Sequence, residues 1–394
     1  MPIQWTCPSC AHDQITVFYR VKQQPVNSVL IFDTREEALA YPHGEIALGF
    51  CPACGFVFNT LFDPALTRYS QKYEATQSYS PTFSAFARNL AQRLIDQYDL
   101  RNKTAIEIGC GQGEFLIDLC ELGPNKGIGF DPAYIEGRVE RPANADITFI
   151  ADFYSEQYSH YHGDLVACKM TLEHIPDTKT FIRMIRNAIG DRPETVVFFQ
   201  VPNALHVFQT LSFWDVYYEH SSYFSAGALA RLFRRCGFDV IRLATVYDGQ
   251  YLNLEARPGT GNGTPPLEGE DDLAAIAEAV QRFAARVPEK LAAWRQVISD
   301  LRARGKRIIM WGGSSKTVSF LTTIDITDEI EYVVDINPHK DHTYLPGTGH
   351  LVVTPEYLHE HTPDVALVAN PIYVPEIAAD LARRGLPIEL IPVA

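Results

Sequence analysis

No stretch of this chain approaches the roughly 18 consecutive apolar residues that a membrane span needs, and its start, Met-Pro-Ile-Gln-Trp-Thr-Cys, lacks a basic region followed by an apolar one. A soluble, cytoplasmic protein with no membrane partner is expected. Basic residues are scarce beside acidic ones, 34 against 48, giving a net charge of −14, and no basic stripe interrupts that balance. A nucleic-acid backbone would be repelled, which excludes that class of partner. Internal repeats and low-complexity tracts are not evident. Eight cysteines in 394 residues do not make a disulfide scaffold. At 46% hydrophobic residues, the chain is globular and long enough for two or three domains.

Four of the eight cysteines form two close pairs, Cys7-Pro-Ser-Cys10 and Cys51-Pro-Ala-Cys54. Each pair makes a knuckle with two thiolates on one side, and two knuckles complete a tetrahedral sulfur site for zinc. Four cysteine ligands leave no open coordination position, so such a metal is structural. The 40 residues between the pairs imply a long excursion, read as β-rich at 28–32 and 45–50. A redox pair or plain buried cysteines are the alternatives. Cys110, Cys120, Cys168 and Cys236 lie in apolar runs and read as core.

The sharpest signal lies at residues 104 to 132. A short apolar run, Thr104 to Ile108, breaks at Gly109, and Phe115, Leu116, Leu119 and Leu122 then recur at helical spacing: strand, tight turn, helix. Gly109, Gly111 and Gly113 occupy the turn, where glycine permits positive φ and the close approach of a flat ligand. A dinucleotide fingerprint would put its third glycine at position 114, which is Glu. Instead Glu107 precedes the turn, suited to an ammonium group, and Asp131 ends the next apolar run, suited to two ribose hydroxyls. Glu107-Ile-Gly-Cys-Gly-Gln-Gly113 with Asp131 resembles the S-adenosylmethionine site of class I methyltransferases. A turn with no ligand would leave both acids unexplained.

Other candidates fall around this core. Ser80-Pro81 offers an N-cap and first-turn proline for a helix bearing Phe83, Phe86, Leu90 and Leu94, expected to cover one side of the cofactor pocket, with Tyr73 and Tyr79 able to line it. Residues 147–151 read as a strand ending at Asp152-Phe153, a carboxylate and ring suited to adenine, although an Asp there also serves as a helix cap. The strand at 165–168 leads to His174, which the resemblance puts near the reactive methyl and which the residues alone explain equally well as a surface helix-start histidine. Residues 196–199 form a further buried strand, and 249–256 are assigned to the antiparallel edge. Between them, 213–225 gathers rings and ionisable groups, with Tyr217, Glu219 and His220 inside four residues. A water-exposed His220 with an ordinary pKa of ~6.5 suits a general base, Glu219 an orienting partner and Tyr217 an oxyanion donor; a surface turn is the alternative.

Residues 257–266 are a linker by composition, followed by one or two helices over 273–304 that Pro288 caps or kinks. A second α/β stretch then begins, with Gly312-Gly-Ser-Ser-Lys316 after a strand. A P-loop requires Gly directly before the Lys, and Ser315 stands there, which argues against nucleotide hydrolysis. Asp335 repeats the strand-end acid. A second nucleotide-like ligand, or mere packing or dimerisation, explains this part equally.

The whole order of cysteine knuckles, glycine turn, Tyr-x-Glu-His loop, long helix and final α/β stretch resembles the three-domain zinc-containing carbon-3 methyltransferases of deoxysugar biosynthesis. That resemblance implies an α/β fold: a zinc domain over 1–68, a Rossmann-like class I core over 69–258, connecting helices over 259–304 and a second Rossmann-like domain over 305–394. It implies methyl transfer from S-adenosylmethionine to the carbon beside the carbonyl of a nucleotide-linked keto sugar. In the family pattern His220 removes the proton, Tyr217 steadies the enolate, Glu219 supports the pair, and the last domain holds nucleotide and sugar.

Overall fold

The computed structural model describes residues 5–67, 69–143 and 145–394. Residues 1–4, part of the stretch read for a leader, and the boundary position 68 lie outside them. Strands β1 (Thr16–Pro25), β2 (His43–Phe50), β3 (Val57–Asn59) and the distant β9 (Ser222–Tyr223) form an antiparallel sheet in that order. The short helix α1 (Arg35–Leu39) interrupts the excursion between β1 and β2. Pairing of β3 with β9 fixes the loop carrying Glu219 and His220 to the cysteine-bearing sheet.

The central sheet runs β10-β11-β8-β7-β4-β5-β6. Its strands are β4 (Thr104–Ile108), β5 (Lys126–Phe130), β6 (Ile147–Ile150), β7 (Leu165–Lys169), β8 (Val196–Pro202), β10 (Phe238–Val246) and β11 (Tyr251–Pro258). The first five pair in parallel, and β11 inserts antiparallel between β8 and β10. This is the class I, Rossmann-like methyltransferase architecture. Strand order reverses between β4 and β7, so a crevice opens at their carboxyl ends, the general ligand position in such sheets. Here β10 is the edge, whereas the sequence pointed to 249–256. Asn253 and Glu255 of β11 are buried on specific partners: Asn253 accepts from Gln200 at 2.8 Å and Glu255 binds Arg93 and Tyr98.

Helix α2 (Pro81–Tyr98) starts as read, with Ser80 Oγ accepting from the Phe83 amide at 3.2 Å. With α3 (Glu114–Leu122) it covers one face of the sheet, burying Leu90, Leu94, Phe115 and Leu119. Helices α4 (Thr178–Ile189) and α6 (Ala226–Arg235) cover the other, while α5 (Ala204–Gln209) packs on α7 (Leu273–Ala303). Pro288 lies inside α7, which runs as one 31-residue helix, so of the two roles expected for it, capping a second helix is absent.

The last sheet, β14-β15-β13-β12-β16-β17, comprises β12 (Ile308–Trp311), β13 (Val333–Val334), β14 (Thr343–Tyr344), β15 (Leu351–Val353), β16 (Val365–Val368) and β17 (Glu389–Pro392), parallel except for β14. Helices α8 (Ser315–Ile324) and α9 (Val374–Arg384) flank it. Its own order reversal, between β12 and β16, opens toward the crevice of the central sheet. Among the described residues no helix is long and apolar enough to cross a membrane.

Candidate active site

One cavity of about 1350 Å³ joins the two crevices, lined by residues of all three sheets' neighbourhoods, among them Glu107, Gly111, Asp131, His220, Lys316 and Asp335. Its floor is the glycine turn after β4. Gly109, Gly111 and Gly113 all have positive φ, at 70°, 57° and 94°. A Cβ on Gly109 would stand 2.0 Å from Thr171 Oγ1 and one on Gly113 2.4 Å from the Phe149 ring, so these two serve packing within the protein. A Cβ on Gly111 would meet nothing within 4 Å. The sequence reading had all three glycines making way for a ligand; the structure gives that role to Gly111.

Asp131, one residue past β5, clamps this turn: Oδ2 accepts from the Gly111 amide at 2.8 Å and Oδ1 from the Ala133 amide at 2.7 Å. Burial raises its pKa, opposed by those two bonds. Each oxygen keeps a lone pair for a ribose hydroxyl. Glu107 is buried, with Oε2 lacking any partner, and burial pushes its pKa up to about 8. An orphaned acid and open space over Gly111 fit a ligand with an ammonium group lying across the turn. Asp152 also lines the cavity, but its carboxylate accepts from Tyr158 at 2.7 Å and Gln157 at 3.1 Å, which hold its pKa down, while Phe153 beside it is 58% exposed. Replacing Asp131 with Ala removes the carboxylate that clamps the turn and that we propose as the acceptor for the ribose hydroxyls. Loss of charge-assisted bonds worth ~1.5–3 kcal/mol should weaken S-adenosylhomocysteine binding about 10- to 100-fold by calorimetry.

The second cluster gathers where residues 170–176 meet 217–225. Ser221 Oγ donates to the Glu173 carbonyl at 3.2 Å and Ser222 Oγ to that of Ile175 at 3.1 Å, locking the two segments together. The His220 ring lies 4.4 Å from Tyr217 and 4.8 Å from His174, both near-perpendicular. It faces the cavity and has no hydrogen-bond partner among the described residues. Expected to be exposed and ordinary, His220 is in fact buried, and burial, then His174 and Lys316, pull its pKa well below 6.5. It is therefore neutral at pH 7 and able to accept a proton. Burial lowers His174 to about 4; its Nδ1 meets the Tyr69 hydroxyl at 2.9 Å and the Glu219 backbone also bonds the ring.

Glu219 does not bond His220. Its carboxylate takes both the amide and the hydroxyl of Ser28, from the excursion between the cysteine pairs, and burial lifts its pKa to about 7. Tyr217 donates to Asp215 Oδ1 at 2.9 Å, and Asp215 is ion-paired with Lys316 at the start of α8. Tyr218 turns away: its hydroxyl accepts from the Asp63 amide at 2.9 Å, and its ring fills the space that a side chain on Gly44 would need. Tyr79 lines the outer rim, 39% exposed and edge-on to His339; the tyrosine that meets His174 is Tyr69. Ser28, Tyr69 and Lys316 escaped the sequence reading as site residues, since each reaches the site through a partner remote in the chain, and Asp215, two residues before Tyr217, was passed over within its own loop. Glu173, His174 and His220 bring possible ligand atoms within 4.8 Å, but both sides of His174 are engaged, which suits proton handling better than a metal.

The final sheet repeats the first turn's wiring. The Gly109 amide donates to the Phe130 carbonyl, and the Gly312 amide to that of Val334; the Asp131 amide donates to Ile150, and the Asp335 amide to Val353. Asp335 Oδ2 accepts from the Gly313 amide at 2.8 Å and Oδ1 from the Asn337 amide at 2.8 Å, as Asp131 does with Gly111 and Ala133. The chain thus contains a structural repeat of which the sequence shows the glycine turn and the strand-end acid but not the shared wiring. One difference is Lys340, buried, whose Nζ donates to the Gly313 carbonyl at 2.8 Å and lies 3.5 Å from Asp335.

Cys7, Cys10, Cys51 and Cys54 converge with every sulfur within 4.8 Å of the others, including contacts of 3.7 Å and 3.6 Å. Zinc–sulfur bonds of ~2.3 Å in a tetrahedron require sulfurs about 3.8 Å apart, so the group fits a metal ion. The knuckles share one form: the Ala11 amide returns to the Cys7 carbonyl and the Gly55 amide to that of Cys51, with Ala11 and Gly55 both at positive φ.

A family model described as a methyltransferase domain matches residues 81–243, and one described as a C-methyltransferase C-terminal domain matches 267–385. The chain is 24% identical over 387 residues to the C-methyltransferase NovU of Streptomyces niveus, covering 94% of this chain and 90% of that protein. It is 25% identical over 160 residues to the ubiquinone biosynthesis O-methyltransferase of Neisseria meningitidis serogroup C, covering 36% of this chain and 66% of that protein. Among solved structures, a Burkholderia thailandensis 1,6-didemethyltoxoflavin-N1-methyltransferase superposes with a TM-score of 0.33 at 20% identity over 46% of this chain and 84% of that one. The two family models and the likeness to NovU support a C-methyltransferase family, and the chain is an S-adenosylmethionine-dependent methyltransferase.

Proposed function

We propose that this methyltransferase alkylates the carbon beside the carbonyl of a nucleotide-linked keto-deoxysugar, with His220 as the base. The bound cofactor supplies an electrophilic methyl group on a sulfonium, so no activation is needed on the donor side. A carbon acid must instead lose its proton. The observation that carries the reading is His220: a neutral, unbonded imidazole facing the cavity between the glycine turn of the central sheet and its copy in the last one. His220 would take the α-proton and leave the enolate carbon as the nucleophile, while the cofactor, which the Gly111 turn, Glu107 and Asp131 would hold, would supply the methyl and retain on sulfur the electron pair of the broken bond. Lys316, ion-paired with Asp215, is the cation available to steady the enolate oxygen, and the Tyr217 hydroxyl, whose one proton is donated to Asp215, would join it only by turning from that carboxylate. Glu219, held by Ser28, fixes the backbone that carries His220. The likeness to NovU supports carbon as the nucleophile.

For the nucleotide, the support is the repeated turn, where Asp335 stands as Asp131 does and Asn337 and Asn370 line the same cavity. Domain limits near 68, 258 and 304 accord with the separate sheets and are part of this proposal, as is zinc in the four-cysteine site. The proposal is tested by incubating purified protein and S-adenosylmethionine with nucleotide 4-keto sugars, reading a methylated mass and S-adenosylhomocysteine. Turnover of a phenol or carboxylic acid, but of no keto sugar, would overturn it.

A pH profile separates the two titrating candidates. His220 acts as a base only when neutral, and its pKa lies below the ordinary value, so kcat/KM should stay flat from pH 8 down to about 6.5 and fall only at lower pH. An acid limb centred near 7 would assign the base to Glu219, whose carboxyl titrates at about 7.

A further inference from the structure

Besides His220, the second cluster holds a buried acid, Glu173, that lines the same cavity. It sits in the short turn Leu172–His174 after β7, and Ser221, next to His220, holds its carbonyl at 3.2 Å. The Glu173 carboxyl and the His220 ring offer atoms within 4.8 Å of one another. Glu173 Oε2 is buried and has no hydrogen-bond partner among the described residues. Glu219 is taken by Ser28, and Asp215 by Tyr217 and Lys316, so Glu173 is the acid of this cluster whose oxygen is left bare. A bare buried oxygen is costly, which points to a group that completes it during the reaction. Burial lifts the Glu173 pKa to about 8. The titratable groups that face it are Tyr69, Tyr73, Cys168, Tyr251, His174 and His220; burial pushes the phenols and the thiol up and the imidazoles down, so all are uncharged at pH 7. The cavity's lysines answer to other groups, Lys316 to Asp215, Lys340 to Gly313 and Asp335, and Lys169 to Glu107, Glu114 and Asp118. With no lysine to hold it as a carboxylate, Glu173 keeps its proton at pH 7.

An acid and a base so placed suit a single carbonyl group. The α-carbon and the oxygen of a ketone lie about 2.4 Å apart, and a base and an oxyanion donor each work at about 3 Å from their own atom. Two protein atoms within 4.8 Å of one another therefore span both. The terminal torsion of a glutamic acid is broad and two-fold, so its hydroxyl turns to either side. We propose that Glu173 is a catalytic acid whose hydroxyl donates a hydrogen bond to the carbonyl oxygen of the acceptor while His220 takes the proton from the carbon beside it. This rests on the reading of His220 as the base. The α C–H bond breaks, its proton goes to the imidazole nitrogen, its electron pair becomes the carbon–carbon π bond of the enolate, and the carbonyl π pair moves onto oxygen, where the Glu173 O–H meets it. Such a bond strengthens as charge develops, which favours the transition state over the bound ketone. A carboxylic acid kept neutral by an apolar site is an effective oxyanion donor, and Tyr217, the other neutral donor nearby, has given its one proton to Asp215.

The test follows deuterium wash-in at the carbon beside the carbonyl of a nucleotide 4-keto sugar, with the full-length enzyme and S-adenosylhomocysteine in deuterium oxide. Removing one oxyanion donor costs about 10²–10³ in rate, so Glu173→Leu should slow wash-in by that factor while S-adenosylhomocysteine affinity stays within about twofold. Glu173→Gln, whose amide still donates but does not titrate, should recover wash-in to within about tenfold of the unmodified enzyme. The acid works only while protonated, so the unmodified rate should fall as pH rises through about 8, and Glu173→Gln should lack that fall. Normal wash-in in Glu173→Leu, with His220→Ala inactive, would overturn the acid and leave the base standing; normal wash-in in both would overturn the two together. If Glu173→Leu fails to fold or no keto sugar is accepted, the infrared spectrum of the acceptor-free enzyme decides. A protonated-carboxyl band at pH 7 that Glu173→Gln lacks is the expected result, and identical spectra would overturn the proposal.

Discussion

Replacing His220 with alanine is expected to lower turnover about 10²–10⁴-fold while leaving S-adenosylhomocysteine affinity within about twofold, because general-base catalysis contributes on that scale. The two effects separate since His220 has no hydrogen-bond partner and lies in the second cluster, whereas the cofactor turn is built from Gly111, Asp131 and Glu107. His174 is a poor substitute base: Tyr69 and the Glu219 backbone occupy its ring, and burial holds it at about 4. Near-normal turnover in His220→Ala would move the base elsewhere or point to an acceptor that needs none.

Removing the metal is expected to have the largest structural effect. Apparent binding energies of about 10–16 kcal/mol for structural zinc rival the roughly 5–15 kcal/mol that holds a typical domain folded. Purified protein should carry about one zinc per chain, and Cys51→Ser should lose it and melt the β1-β2-β3-β9 sheet. The damage should reach the active site. Val57 and Phe58 pair with Tyr223 and Ser222, the Asn59 amide donates to the Ser221 carbonyl at 3.0 Å, and Ser28 holds Glu219. Elemental analysis, circular dichroism and turnover check this together. A metal-free protein that is fully folded and active would show that the thiols serve only as core.

The parts of this architecture that a reader of the sequence recovers are those written in local spacing. Two Cys-x-x-Cys pairs, a glycine turn between an apolar run and a helical one, Ser80-Pro81 and the strand-end acids each carry their meaning within a few residues. The second cluster is different. Glu219 answers to Ser28, 191 positions away, His174 to Tyr69, and Tyr217 through Asp215 to Lys316, so nothing in the Tyr-x-Glu-His segment announces those partners. Its residue type assigns His220 a pKa of ~6.5, and burial beside Tyr217 and His174, followed by the charges of His174 and Lys316, explains the downward shift. The edge strand was misplaced for a related reason: strand order is set by pairing between remote segments, and β11 pairs with both β10 and β8. Of the repeated turn the sequence showed Gly312-Gly313 and the strand-end acid Asp335, whereas the shared wiring resides in backbone bonds that only the fold displays.

The central claim, that a carbon acid is deprotonated by His220, is tested most directly by proton exchange without methyl transfer. A nucleotide 4-keto sugar is incubated in deuterium oxide with the enzyme and S-adenosylhomocysteine, and deuterium at the carbon beside the carbonyl is followed by NMR. The account predicts wash-in with the unmodified enzyme and its loss, by at least about 10²-fold, in His220→Ala. Wash-in at equal rates in both proteins would contradict it.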